Sequence, residues 1–500
     1  MNALKRACVS SFLVFLAVTA AAGSDELGVI DFPNSAPEAA QADFIRGVLL
    51  LHSFQYPQAA DAFRATQKLA PDFALAYWGE AMTHNHGLWM EQDPDQARAV
   101  LEKLAPTPEA RLAKASTERE KGYLRAVEAL FGEGSKIARD LSYMEHMRQL
   151  HETYPDDLEA ASFYALSILA SVQGERDFRA YMRAAAIAQQ VANHNPKHPG
   201  AIHYIIHSYD DPIHAPLGLP AANVYAKLAP AATHALHMPS HIFLALGMWD
   251  DTVASNEASY EASNGKSYHA LQWLAYGYLQ QGRQADATRM LEKMRESASK
   301  DDSPGARWYL GLMRSAYVFE TRQWDAADFP VNTEGIEFSA AASDLLARGA
   351  SAVQAGRLPD AKRILHEMRT RRAPLAKRAA DPLCHQTNFS AGISPNGLKG
   401  AAVMEQELEA MILLAQHKPA EAIAMLEQAA FAEDEMAMDF GPPNPVKPAH
   451  ELLAETLLAQ GRFEDAKTHF ELALKRAPGR RLSLEGLARA SQGASVAAAK

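Results

Sequence analysis

Between His194 and His241 the chain reads HNPKHPGAIHYIIHSYDDPIHAPLGLPAANVYAKLAPAATHALHMPSH, which holds eight of its nineteen histidines. His203 and His207 are four residues apart, so on a helix starting after Pro199 they share one face. His234, His237 and His241 follow the spacing i, i+3, i+7, which keeps three rings on one stripe within about 60°. Neutral imidazole suits zinc, copper or iron, and three such ligands leave a position open for water or substrate. The expected ligands are His203, His207 and either His237 or His241, with Asp210 or Asp211 as the carboxylate that orients a ring or acts as general base. His214, on the proline-rich loop after which Pro220 can open the next helix, and His234 complete the candidate set.

A single histidine in a helical protein more often caps a carbonyl or hydrogen-bonds across a groove than ligates. Here it is the density and the repeated four-residue spacing that favour a metal. A zinc peptidase is disfavoured, because Tyr204 stands where HExxH requires glutamate. Met238 and Met248 are soft neighbours suited to copper, although methionine at helical spacing also fills cores. His84 and His86, two apart in AYWGEAMTHNHGLW, belong to a turn that could add distant ligands or be a plain polar loop. Glu451 and Glu455 in PNPVKPAHELLAE share a face, but proline followed by glutamate is also how helices start well.

The elements that must position these rings are helical. Phe44, Gly47, Leu50, Ala59, Phe63 and Pro71 match the large, small, large, small, aromatic and proline order of the 34-residue tetratricopeptide repeat. LLAQGRFEDAKTHFELALKRAP repeats it through Gly461, Ala466, Phe470, Ala473 and Pro478. Looser copies surround Gly282, Gly356 and Ala422, so the expected fold is an all-α, TPR-like α-solenoid of about eight to ten antiparallel hairpins. The expected order is a signal peptide over 1–22, repeat hairpins over 23–110 and helical hairpins over 111–193. The histidine-rich segment over 194–245, central hairpins over 246–370, an irregular loop over 371–400 and C-terminal hairpins over 401–490 follow. The loop carries Cys384 and His385, and SQGASVAAAK at the end reads as frayed.

Lys5 and Arg6, an apolar run from Val9 to Val18 and Ala20-Ala21-Ala22 have the form of a secretory signal, which predicts a periplasmic or secreted protein. No later stretch approaches the roughly 20 apolar residues of a membrane span. Cys8 falls inside the signal, so Cys384 is left alone, no disulfide forms within the chain and no thiolate cluster can hold a metal. The net charge of −11, without a basic run, argues against nucleic acid as partner.

Taken together, AYWGEAMTHNHGLW, HPGAIHYIIHSYDDPIHA, ATHALHMPSHIF and PNPVKPAHELLAETLLAQGR resemble a family of exported bacterial tetratricopeptide-repeat proteins. The resemblance implies an α-solenoid in the cell envelope and supplies no activity. Three functions therefore stand: a solenoid with a histidine-bound transition metal, a scaffold binding a peptide or protein on its concave face, and a metal-dependent enzyme on a small organic substrate.

Overall fold

The computed structural model describes residues 26–172, 175–329, 331–379, 394–438 and 440–498. The signal sequence, Cys8, Cys384 and His385 lie outside them. The chain is an all-α solenoid of helical hairpins, and each hairpin buries its apolar stripe against the next. Among the described residues the only strands are Asn85–His86 and Glu91–Gln92, paired antiparallel around the short turn Gly87–Trp89.

The repeat residues do the packing that their sizes dictate. Helices Glu38–His52 and Tyr56–Leu69 form the first hairpin, and Phe63 is fully buried between it and the helix Ala74–Met82. A Cβ at Gly47 would lie 2.7 Å from the Phe63 ring, and one at Gly79 would overlap it, so glycine sets how closely these helices approach. Phe470 repeats this arrangement against Gly486 in the last repeat, where Gly461 makes the turn at φ 74°.

The far end of the solenoid returns to its middle. Trp249 Nε1 donates to the Gly479 carbonyl at 2.8 Å. Arg480, fully buried, binds Glu451 at 2.8 and 3.0 Å, the Tyr276 hydroxyl at 3.0 Å and Glu320 at 2.6 Å. Lys447 bridges Glu451 and Glu455 at 2.8 Å each, so these glutamates belong to a buried ion network that closes the coil.

Three local expectations are corrected. The segment 371–400 is not one irregular loop: helix Leu358–Ala379 continues through Pro374 and helix Pro395–Ala415 begins early. Thr370 and Pro374 are exposed, so the carbonyl that proline leaves unpaired can reach water, and Arg372 ties the helix to Glu405 at 2.7 and 2.9 Å. Residues 491–498, expected to fray, lie in the helix Arg481–Ala498, and Gly493 lets that helix close onto Phe463. Pro220, expected to open a helix, lies inside Ala215–Leu228, whose start is set earlier by Asp211 accepting from the Ile213 and His214 amides.

Glu407 is fully buried and neither of its oxygens has a hydrogen-bond partner. Burial raises its carboxyl well above the ordinary value, Glu433 and Glu451 push the same way, and Lys447 and Arg480 oppose them. A carboxyl whose folded pKa is raised gives stability that is complete below the unfolded value and is lost as pH rises through the folded one. The Glu407→Gln variant is therefore expected to gain melting temperature over the wild type at pH 8 and little at pH 4, which thermal scans at the two pH values would check.

Candidate metal centre

His203 and His207 sit on helix Pro199–Tyr209, whose N-terminus is capped by His198 Nδ1 accepting from the Ala201 amide at 3.1 Å. The second stripe comes from helices Thr233–His237 and Pro239–Ala245, joined at Met238, whose φ −54° and ψ −36° are helical. Pro239 thus bends the backbone without scattering His234, His237 and His241. Helix Ala215–Leu228 intervenes in the chain, so the two histidine helices are the first members of successive hairpins. They are not antiparallel neighbours. His203 meets His234 and His207 meets His241, an order that makes the helices run in the same direction.

The rings fall into two triads rather than around one point. His203, His207 and His234 form one, and His237, His241 and His269 the other; in each, the potential ligand atoms lie within 4.8 Å of one another. The proposed choice of His237 or His241 as third partner of His203 and His207 is taken in the structure by His234, with Nε2 3.1 Å from His203 Nε2. His269, from the first turn of helix Tyr268–Gln280, completes the second triad.

Outer hydrogen bonds fix which nitrogen of each ring carries the proton. His203 Nδ1 donates to the His52 carbonyl at 2.7 Å, which leaves its Nε2 as a lone pair. His241 Nδ1 donates to Asp210 Oδ2 at 2.9 Å, and His237 Nδ1 donates to Asn256 Oδ1 at 2.7 Å. Asn256 is oriented by its own amide donating to the Thr252 carbonyl at 2.8 Å. The Nε2 atoms of His237 and His241 therefore point lone pairs at each other across 3.1 Å. Neutral imidazoles so tied place no proton between the two Nε2 atoms. His207 Nε2 is buried with no hydrogen-bond partner, while its Nδ1 faces Asp210 at 3.4 Å.

Burial favours the neutral form of His203, His234, His237, His241 and His269. Desolvation, reinforced by neighbouring imidazoles, pushes His203, His234 and His237 well below the ordinary histidine value and His269 down to about 3. His241 is lowered by burial against the opposing pull of Asp210. Burial by itself would raise the Asp210 carboxyl, but the Arg176 guanidinium and the His207 and His241 rings overcome it and hold it far below the carboxylate range. Arg176 donates to Asp210 Oδ1 at 2.8 Å, so one anchored carboxylate serves a ring in each triad.

Asp211 touches no triad ring, and its Oδ2 lies 3.5 Å from Arg176 Nε. Its Oδ1 takes the His214 ring at 2.9 Å along with the turn amides, so both residues build the helix start, and His214 packs on Phe178. His86 stacks on Tyr56 at 4.0 Å and His84 is half-buried; neither belongs to a histidine group. Met238 is core, fully buried.

A third group, His52, Glu159 and His198, is fully buried but complete without an ion. Both rings reach Glu159, at 2.6 and 2.9 Å, and their other nitrogens take Tyr204 and the Ala201 amide. His269, Asn256 and Arg176 escaped sequence reasoning. A lone histidine in a hairpin outside the dense stretch has only SYHALQW as its signal, and Arg176 and Asn256 have none.

Trp273 stacks on His241 at 4.6 Å and Phe440 on its other neighbour side at 5.0 Å. A cavity of about 180 Å³ reaches His207, His234, His241 and His269. It meets, at Trp89, His269 and Phe440, a larger apolar one of about 620 Å³ lined by Trp273, Trp308 and Met313.

Fold and site together define a tetratricopeptide-repeat-like α-solenoid with two buried histidine triads on neighbouring hairpins. The family model described as "Tetratricopeptide repeat" matches residues 269–293 and 448–471, and the first of these begins at His269. Yeast Tom70 aligns with 12% identity over 91% of this chain and 89% of its own, at a TM-score of 0.33. A human IFIT1 dimer with m7Gppp-AAAA aligns with 14% identity over 93% and 92%, at 0.36. The APC/C hetero-tetramer Cut9-Hcn1 aligns with 11% identity over 93% and 78%, at 0.38. No curated protein matches the chain. Among the described residues no helix is long and apolar enough to cross a membrane.

Proposed function

We propose that the chain is an extracytoplasmic repeat solenoid that holds a histidine-coordinated transition metal for binding or redox chemistry. One observation carries this reading: His237 and His241 face each other through unprotonated Nε2 atoms at 3.1 Å in a buried site. Two ligands about 2 Å from one tetrahedral ion lie about 3.3 Å apart, so the spacing suits shared ligation. An all-nitrogen set favours zinc, copper or iron over magnesium or calcium.

The apolar cavity supports a second reading, in which the metal acts on a small organic substrate or the groove takes an apolar segment of a partner. Elemental analysis of the exported protein from its own host, beside a His203→Ala/His207→Ala double variant, tests the first reading. Stoichiometric copper, zinc or iron that falls in the variant is expected. Metal in neither preparation leaves the partner-binding scaffold.

A further inference from the structure

We infer that the site takes two transition-metal ions, one in each triad, as a dinuclear centre. The inference rests on the metal reading above and goes beyond it in number and arrangement. His203, His207 and His234 supply three imidazoles to one ion, and His237, His241 and His269 supply three to the other.

Each triad is a group in itself, and His207 and His241, one ring from each, form a further group with Asp210. His207 and His241 have centroids 5.4 Å apart and His234 and His237 6.1 Å, within the 4.4 to 6.4 Å found between rings of the same triad. Among the described residues no group within 4.8 Å holds all six rings, whereas each triad is one, so the donors divide between two ions. Asp210 is the common element: Oδ2 faces Nδ1 of His207 at 3.4 Å and Nδ1 of His241 at 2.9 Å, so it turns one Nε2 of each triad inward. Arg176 balances its charge and occupies its other oxygen at 2.8 Å, which marks Asp210 as an orienter of ligands. The cavity reaching His207, His234, His241 and His269 borders both triads and gives the ions a shared open side. Paired ions with a common open side bind or activate one small oxygen ligand between them.

The test is zinc stoichiometry. The full chain, stripped with chelator, is reloaded with zinc, dialysed and measured by mass spectrometry of the metal, together with His234→Ala, His269→Ala and the double variant. Both histidines are only half-buried, so their removal spares the core, and circular dichroism verifies the fold. About two zinc ions per wild-type chain, one in each single variant and none in the double variant are expected. One ion per wild-type chain overturns the dinuclear centre and leaves the metal reading intact. Two ions retained in both single variants also overturns it, by placing the metal elsewhere. No zinc in the wild type overturns both readings.

Discussion

Asp210→Asn lowers zinc affinity at both triads, by about 10- to 100-fold at each, the range found when an outer-shell partner of a ligating histidine is removed. The carboxylate accepts from His241 at 2.9 Å and faces His207 at 3.4 Å through the same oxygen. An amide oxygen can still accept one ring N–H, but the amide nitrogen can only donate. With its oxygen toward the rings the amide turns its NH2 on Arg176, and with its oxygen toward Arg176 it turns the NH2 on both rings; either way buried Arg176 keeps only Asp211, at 3.5 Å, as counter-charge. Competition titration against a chromophoric chelator measures the effect. A loss confined to one ion, or none, would mean that Asp210 does not link the triads. Asp211→Asn removes the second carboxylate beside Arg176, at 3.5 Å, without removing a partner of any triad ring, so it separates loss of charge at Arg176 from loss of ring orientation.

Arg480→Ala costs about 3–5 kcal/mol, the scale for removing one partner of a buried ion pair. The guanidinium makes two bonds to Glu451, which Lys447 also holds, pairs with Glu320 and reaches Tyr276, and all of these are buried. Its loss leaves two carboxylates facing each other in the closure between the last repeat and the middle of the solenoid. Repeat arrays unfold by neighbouring units, so the damage should be local. Hydrogen exchange is expected to speed up in Arg481–Ala498 and at residues 276–281, with the histidine helices unaffected. Unchanged exchange at both places would show that the closure does not depend on this arginine.

The parts of the site that could be seen in sequence are those set by helical spacing. His203 with His207, and His234 with His237 and His241, lie on single stripes, and a stripe is a property of one helix. The repeat order of large and small residues likewise marked Gly47, Phe63 and Phe470 as packing positions, and the structure sets Phe63 against Gly47 and Phe470 against Gly486.

Relations between hairpins were not visible. The division of the rings into two triads depends on how helix Ala215–Leu228 spaces the two histidine helices, which no residue pattern reports. His269 joins from a hairpin whose own sequence is ordinary repeat, and Arg176 from a connection whose position is fixed by Asp210 itself. Asp210 and Asp211, adjacent and alike on the page, were separated by the turn: the first caps nothing and faces the rings, while the second spends its oxygen on the amides of residues 213 and 214.

X-ray absorption at the metal edge of the protein as exported tests the central claim most directly. The account predicts a shell of about three nitrogens at about 2.0–2.1 Å with the outer-ring scattering of imidazole, lost in the His203→Ala/His237→Ala variant. A chain with no edge signal, or an oxygen shell without imidazole scattering that survives in the variant, would contradict it.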